Sequence, residues 1–239
     1  MLVLAALVVG FAKTAIGGLG TVAVALVAGV MPARESTAAL LLILLVGDAL
    51  AVARYRRDCD WSLLRHLVPA VLPGLAAGSV LLAVVGDGAL RLGIGMVLLS
   101  LVLVQLGQMV RARRRTTALA AWSRPATWAT GLAAGFTTMV ANAAGPVMTL
   151  YLVAQGVEKR RFLGTGAWFF LGVNLCKLPF SVGLGLVHRD MVLTALVLAP
   201  GVLLGGLAGV AVVRRIGQRS FDVAVLVASA LSAVALLAG

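Results

Sequence analysis

Apolar residues run along this chain in blocks long enough to cross a bilayer, and two of the blocks are broken in the middle. The unbroken blocks occupy 38–53, 67–85, 92–110, 162–187, 191–213 and 221–238. They match the roughly 17 to 25 residues a membrane helix needs, and runs such as 38–47 lack the alternation of a barrel strand. The other two blocks, 2–30 and 126–155, are interrupted by Gly17-Gly18-Leu19-Gly20 and by Asn142-Ala143-Ala144-Gly145-Pro146. Each arm of the first has at most about 15 residues, roughly 22 Å of helix, against a hydrocarbon core of about 30 Å. Neither arm reaches across. Non-helical backbone at that depth is tolerated only against protein or a water-filled cavity, so the broken tips are expected inside the bundle. The expected fold is an all-α integral membrane protein of two inverted repeats, each a re-entrant, broken-helix hairpin plus three transmembrane helices. The N-terminal repeat spans 1–125, with a basic cytoplasmic linker at 111–125, and the C-terminal repeat spans 126–239.

Charge supports this layout. If every block crossed once, the loop lysines and arginines would divide almost evenly between the two faces. With 2–30 and 126–155 as hairpins, only Arg34, Arg91 and Arg189 share one face and the other fifteen share the opposite one. That bias is what the positive-inside rule expects, and it puts both termini outside the cytoplasm of an inner-membrane, multi-pass protein. The same rule accounts for the net charge of +12 without nucleic acid, because the arginines lie in short clusters with almost no aromatic residues among them. Met1 to Val9 has no basic n-region, so no cleaved signal peptide is expected. Cys59 and Cys176 have neither metal-ligand spacing nor a disulfide framework, and no cofactor is implied.

Echoes between the halves agree with a repeat. Gly10-Phe11 recurs as Gly135-Phe136, Gly20 as Gly145, Arg34 as Arg160 and Asp48 as Asn174. Pro73-Gly74 with Gly78 recurs as Pro200-Gly201 with Gly205, the offset growing only from 125 to 127. Gly74, Gly78, Gly201, Gly205 and Gly209 fit close helix packing, which also allows a homodimer.

Paired broken segments in corresponding positions of two halves point to a transport site. Lys13, Asp48 and Lys177 lie inside apolar blocks, where each costs roughly 2.5 to 3.5 kcal/mol to insert and needs a partner or water. An Asp48–Lys13 pair is one outcome. The intramembrane charge sums to +1, which favours an anion. Helix starts near Thr21 and Pro146 would expose unpaired N–H groups to it. Thr14, Thr21, Thr137, Thr138, Asn142 and Asn174 add hydroxyl and amide groups, and Gly17, Gly18, Gly20 and Gly145 let backbone approach a ligand. For each threonine the alternative is a bond back to its own helix.

At these residues the chain resembles the TauE/SafE family of sulfite and organosulfonate exporters. The resemblance rests on Phe11-Ala12-Lys13-Thr14-Ala15-Ile16-Gly17-Gly18-Leu19-Gly20, Asp48, Tyr55-Arg56-Arg57 and Asp60-Trp61. In the second half it rests on Gly135-Phe136, Gly145-Pro146, Tyr151, Lys159-Arg160-Arg161-Phe162, Thr165, Asn174, Lys177 and Phe221. It implies an inner-membrane secondary transporter exporting a small anion (sulfite, an organosulfonate or a carboxylate) by alternating access between the hairpin tips, with membrane lipid as its surroundings. Many members place a histidine where Asn142 stands. Asn142 does not titrate, which leaves Asp48 as the candidate proton carrier. The substrate-binding candidates are Lys13, Thr14, Gly17, Gly18, Gly20, Thr21, Thr138, Asn142, Gly145, Asn174 and Lys177. A small-anion channel would use the same cavity. A membrane enzyme is disfavoured, since no nucleophile–base or metal-ligand cluster appears and His66 and His188 are far apart in sequence.

Overall fold

In the computed structural model, residues 1–16, 19–28, 33–86, 123–225 and 227–228 are described, and no strand occurs among them. The first broken block forms α1 (Leu2–Thr14) and α2 (Gly20–Ala28), followed by α3 (Ala33–Tyr55) and α4 (Trp61–Val84). The second forms α5 (Arg124–Ala141) and α6 (Ala144–Ala154), followed by α7 (Lys159–Gly183) and α8 (Arg189–Arg215). The expected span 92–110, most of the linker 111–125 and the end of 221–238 lie outside the described residues.

Several helices extend beyond their apolar blocks because polar residues cap them. Asp60 accepts a hydrogen bond from Ser62 N and starts α4 ahead of the apolar run at 67. Ser123 does the same for Ala126 N, and with proline at the first turn α5 begins at Arg124 rather than at 126. Three helices are long and apolar enough to cross a membrane among the described residues: α3 (from Glu35), α4 and α8. α7 has 25 residues but carries Asn174 and Lys177 within its apolar stretch. α1, with 13 residues, and α6, with 11, reach only about 20 Å and 16 Å at 1.5 Å per residue.

The first helix of each half packs along the second long helix of the other: α1 on α8, and α5 on α4. α3 meets α7 and α8 between them. These crossings are close because glycines remove the Cβ. A Cβ on Gly10 would meet the Val202 carbonyl and Gly206 N, and one on Gly135 would meet the Val71 carbonyl and Leu75 N. Gly74 lies against the Leu132 carbonyl as Gly205 lies against that of Leu7, and Gly78 faces the Phe136 carbonyl as Gly209 faces that of Phe11. The contacts therefore align α1 with α5 at an offset of 125 and α4 with α8 at 131. In these contacts Gly74 and Gly78 match Gly205 and Gly209, about one helical turn from the sequence echo with Gly201 and Gly205.

Candidate functional site

Both broken helices stop where their backbone becomes polar. α1 ends at Thr14 with Ala15 as its C-cap, and α2 resumes at Gly20. α5 ends at Asn142, whose left-handed conformation (φ 51°) turns the chain, and α6 resumes at Ala144 without a side-chain cap. Asparagine tolerates this backbone region better than most residues with a Cβ. Between the breaks lies a cavity of about 50 Å³, lined among others by Lys13, Gly20, Thr138, Asn142, Gly145 and Asn174. At 10–15 Å³ of such volume per water it holds roughly three to five waters. Six of the eleven substrate-binding candidates are thus brought to one place.

The charged and amide groups form two linked clusters. In the first, Lys13 Nζ pairs with Asp48 Oδ1 at 2.6 Å, and Asn174 Nδ2 donates to Asp48 Oδ2 at 2.6 Å. The Asp48 side chain is fully buried, while Lys13 is 11% exposed and lies 4.2 Å from the Phe170 ring centroid. Lys13 is therefore the cation that faces the cavity, and Asp48 stands behind it. In the second cluster the fully buried Lys177 donates to the Thr138 carbonyl at 2.7 Å and to Asn142 Oδ1. Asn142 Nδ2 reaches across to the Thr37 carbonyl on α3 at 3.1 Å. Lys177 does not line the cavity; Thr138 and Asn142 do.

The remaining candidates fall elsewhere. Thr14 donates to the carbonyls of Gly10 (3.1 Å) and Gly206 (2.8 Å), so its hydroxyl joins α1 to α8. Thr137 donates back to Ala133 O at 2.7 Å. Gly17, Gly18 and the Thr21 side chain lie outside the described residues. Phe170, Phe162, Leu163, Gly166 and Ala167 of α7 also line the cavity and were not among the candidates. Their spacing of three and four residues up to Asn174 was the available signal.

The opposite face of α7 is bound to the α3–α4 loop. Asp60 N donates to Thr165 Oγ1 (2.9 Å) and Trp168 Nε1 to the Arg56 carbonyl (3.3 Å), and Arg160 and Arg161 lie 3.5 and 3.8 Å from Asp58 and Asp60. The hydrogen bond from the Ser62 hydroxyl holds the Asp60 carboxyl below its ordinary range. One wall of the cavity is thus fixed to the N-terminal half.

A family model described as sulfite exporter TauE/SafE matches residues 2–236, nearly the whole chain. No curated protein and no solved structure matches it.

Proposed function

Because the chain belongs to the sulfite exporter TauE/SafE family, a family of membrane transporters rather than enzymes, we propose that it is a secondary transporter exporting sulfite, an organosulfonate or a carboxylate across the inner membrane. The observation that carries this reading is the cavity between the two chain breaks, with Lys13 as its exposed cation. An anion entering it meets the Lys13 ammonium and the first turns of α2 and α6, whose N–H groups have no helical acceptor and whose dipoles favour negative charge. Gly20 and Gly145 leave that backbone open to the ligand.

Asp48 occupies Lys13 until the substrate arrives. The anion and Asp48 compete for one ammonium, so a proton placed on Asp48 releases Lys13 and cancels the charge left behind it. Asn174 keeps Asp48 in place throughout. Asp48 is then the proton site and Lys13 the substrate ligand. An interior-negative potential favours anion exit by about 2.3 kcal/mol per charge per 100 mV.

Alternating access follows from two inverted repeats. The paired crossings of α1 on α8 and α5 on α4, in matching registers, support that relation, and the short arms α1 and α6 support re-entrant hairpins. The bias of basic loops supports a cytoplasmic position for the α3–α4 loop and extracytoplasmic termini.

Sulfite uptake into proteoliposomes of the purified protein tests the reading. Saturable flux with counterflow, lost in Lys13→Met, is the expected result. Flux that neither saturates nor shows counterflow would mean a channel, and no flux of sulfite, sulfonates or carboxylates from folded protein would remove the transport reading.

A further inference from the structure

Lys177 is fully buried, and among the described residues no carboxylate pairs with it. The charged side chains that act on it are Lys13 and Asp48, which pair with each other. Its ammonium is held by two neutral oxygens, the Thr138 carbonyl and Asn142 Oδ1. Both belong to the end of α5. That carbonyl also accepts Asn142 N at 3.0 Å, and the next one back, of Thr137, accepts Ala143 N at 3.2 Å. The last turn of a helix carries the negative end of its dipole and leaves carbonyl lone pairs free. The left-handed Asn142 folds its amide over the same point, and the bond from Nδ2 to Thr37 O fixes the amide so that its oxygen faces Lys177. The result is a small cage of neutral oxygens at the C-terminal end of a half-helix, closed around the Lys177 nitrogen.

Broken-helix transporters use such ends, with unwound carbonyls, to coordinate a sodium ion. Here a side-chain nitrogen occupies that place. We propose that the Lys177 ammonium is a tethered cation filling a monovalent-cation site built from Thr138, Asn142 and the end of α5, so that the transport cycle needs no bound sodium. The functional half of this proposal rests on the transport reading above; the cation site itself does not. Lys177 then acts as a positioning residue: it holds Asn142 and Thr138 where they line the cavity and supplies the net positive charge beside it, without touching the anion.

The experiment compares the wild-type protein with Lys177→Ala, which empties the cage, and Lys177→Met, which fills it without charge. Thermal unfolding in detergent is followed at constant ionic strength in choline, sodium, potassium or methylammonium chloride. The wild type is expected to unfold at the same temperature in all four. Lys177→Ala is expected to unfold lower in choline and to be restored saturably by methylammonium or by one of the metal ions. Lys177→Met is expected to stay low in every salt. Sulfite counterflow in proteoliposomes is the second readout: equal wild-type rates in choline and sodium, a loss of about tenfold in Lys177→Ala in choline, and partial recovery with the cation that restores its stability. Sodium dependence of the wild type overturns the proposal whatever the variants do. So does wild-type flux from Lys177→Ala in choline, or an unfolding temperature of that variant that no cation moves. Absence of wild-type sulfite flux in every medium would count against the transport reading, while the unfolding measurements still decide the cation site.

Discussion

The Lys13–Asp48 pair offers the most direct test of the cavity's electrostatics. Its members are unequal in surroundings: Asp48 is wholly buried with Asn174 as its other partner, whereas Lys13 retains some exposure and the face of Phe170. Removing one member of a buried pair costs about 3–5 kcal/mol, because the charge left behind has lost its compensation. Lys13→Met strands a carboxylate that water cannot reach and belongs at the upper end of that range. Asp48→Asn strands an ammonium that the cavity can partly hydrate and belongs at the lower end. For a chain of this size each kcal/mol moves the unfolding temperature by roughly 2–4 °C, so the single variants should lose about 6–20 °C. The double variant leaves no unpaired charge and should be more stable than Lys13→Met alone. Unfolding of all four proteins in one detergent closes the cycle, and the coupling should be about 3 kcal/mol or more, since the two single losses together exceed that of the double by at least the smaller of them. Additive losses, with the double variant the least stable of the set, would refute the pairing on which the competition between Asp48 and substrate depends.

Asn174→Asp would place two carboxylates at hydrogen-bond distance, where they can hold only one negative charge comfortably; the pH profile of anion flux, set in the wild type by Asp48 alone, should move toward higher pH, and an unchanged profile would count against the Asp48–Asn174 contact. Gly135→Ala and Gly10→Ala force a Cβ into the backbone of the facing helix and should each cost about 1–3 kcal/mol, whereas Gly172→Ala, which meets nothing, should not destabilise; equal unfolding temperatures for the three would refute the crossings. Burial and the neighbouring Asp60 push the Cys59 thiol from its ordinary value of 9.0 up to about 11, so at neutral pH its thiolate fraction falls about 100-fold. In a Cys176→Ser background, N-ethylmaleimide should label Cys59 far more slowly than free glutathione, and labelling at the same rate would show that the loop does not stay docked on α7.

The chain breaks were legible because glycine, proline and asparagine have few reasons to sit together inside an apolar run, and because two arms of that length cannot each cross a bilayer. A Lys13–Asp48 pair was one outcome the sequence offered on the same economy, because each needed an opposite charge and the apolar blocks hold one aspartate for two lysines. What holds Lys177 was not legible, since its main acceptor is a backbone carbonyl, which every residue possesses. The aim of Thr14 was hidden likewise, its hydroxyl choosing the Gly206 carbonyl of a helix far away in sequence. The contact register and the sequence echo differ by a turn because the echo follows identity of residues. Proline and glycine recur at 73–74 and 200–201, but the helices touch where a Cβ is missing, and Gly201 faces the Ala6 methyl at an ordinary 3.4 Å. That contact has its counterpart in Gly131 against Ala70, which again gives offsets of 125 and 131.

In the proposed repeat relation Asp48 and Asn174 occupy equivalent places in the two halves, and their contact would then lie on the axis relating them. Equivalent positions that meet at an axis cannot both be carboxylates without repelling, and two amides would leave Lys13 with no counter-charge. The pair has to be split, one acid and one amide, and the amide must donate, as Asn174 Nδ2 does. The lysines are split as well. Lys13 stands on α1 where α5 has Thr138, and Lys177 stands on α7 where α3 has Ala51. In the proposed transport cycle the N-terminal half therefore supplies an ion pair that opens and exchanges its acid for a substrate anion. The C-terminal half supplies a charge held by neutral oxygens that has no acid to exchange. Two halves alike in packing are thereby unlike in chemistry, and the proposed cycle would draw its competition for the anion from α1 and α3 and its fixed positive potential from α5 and α7.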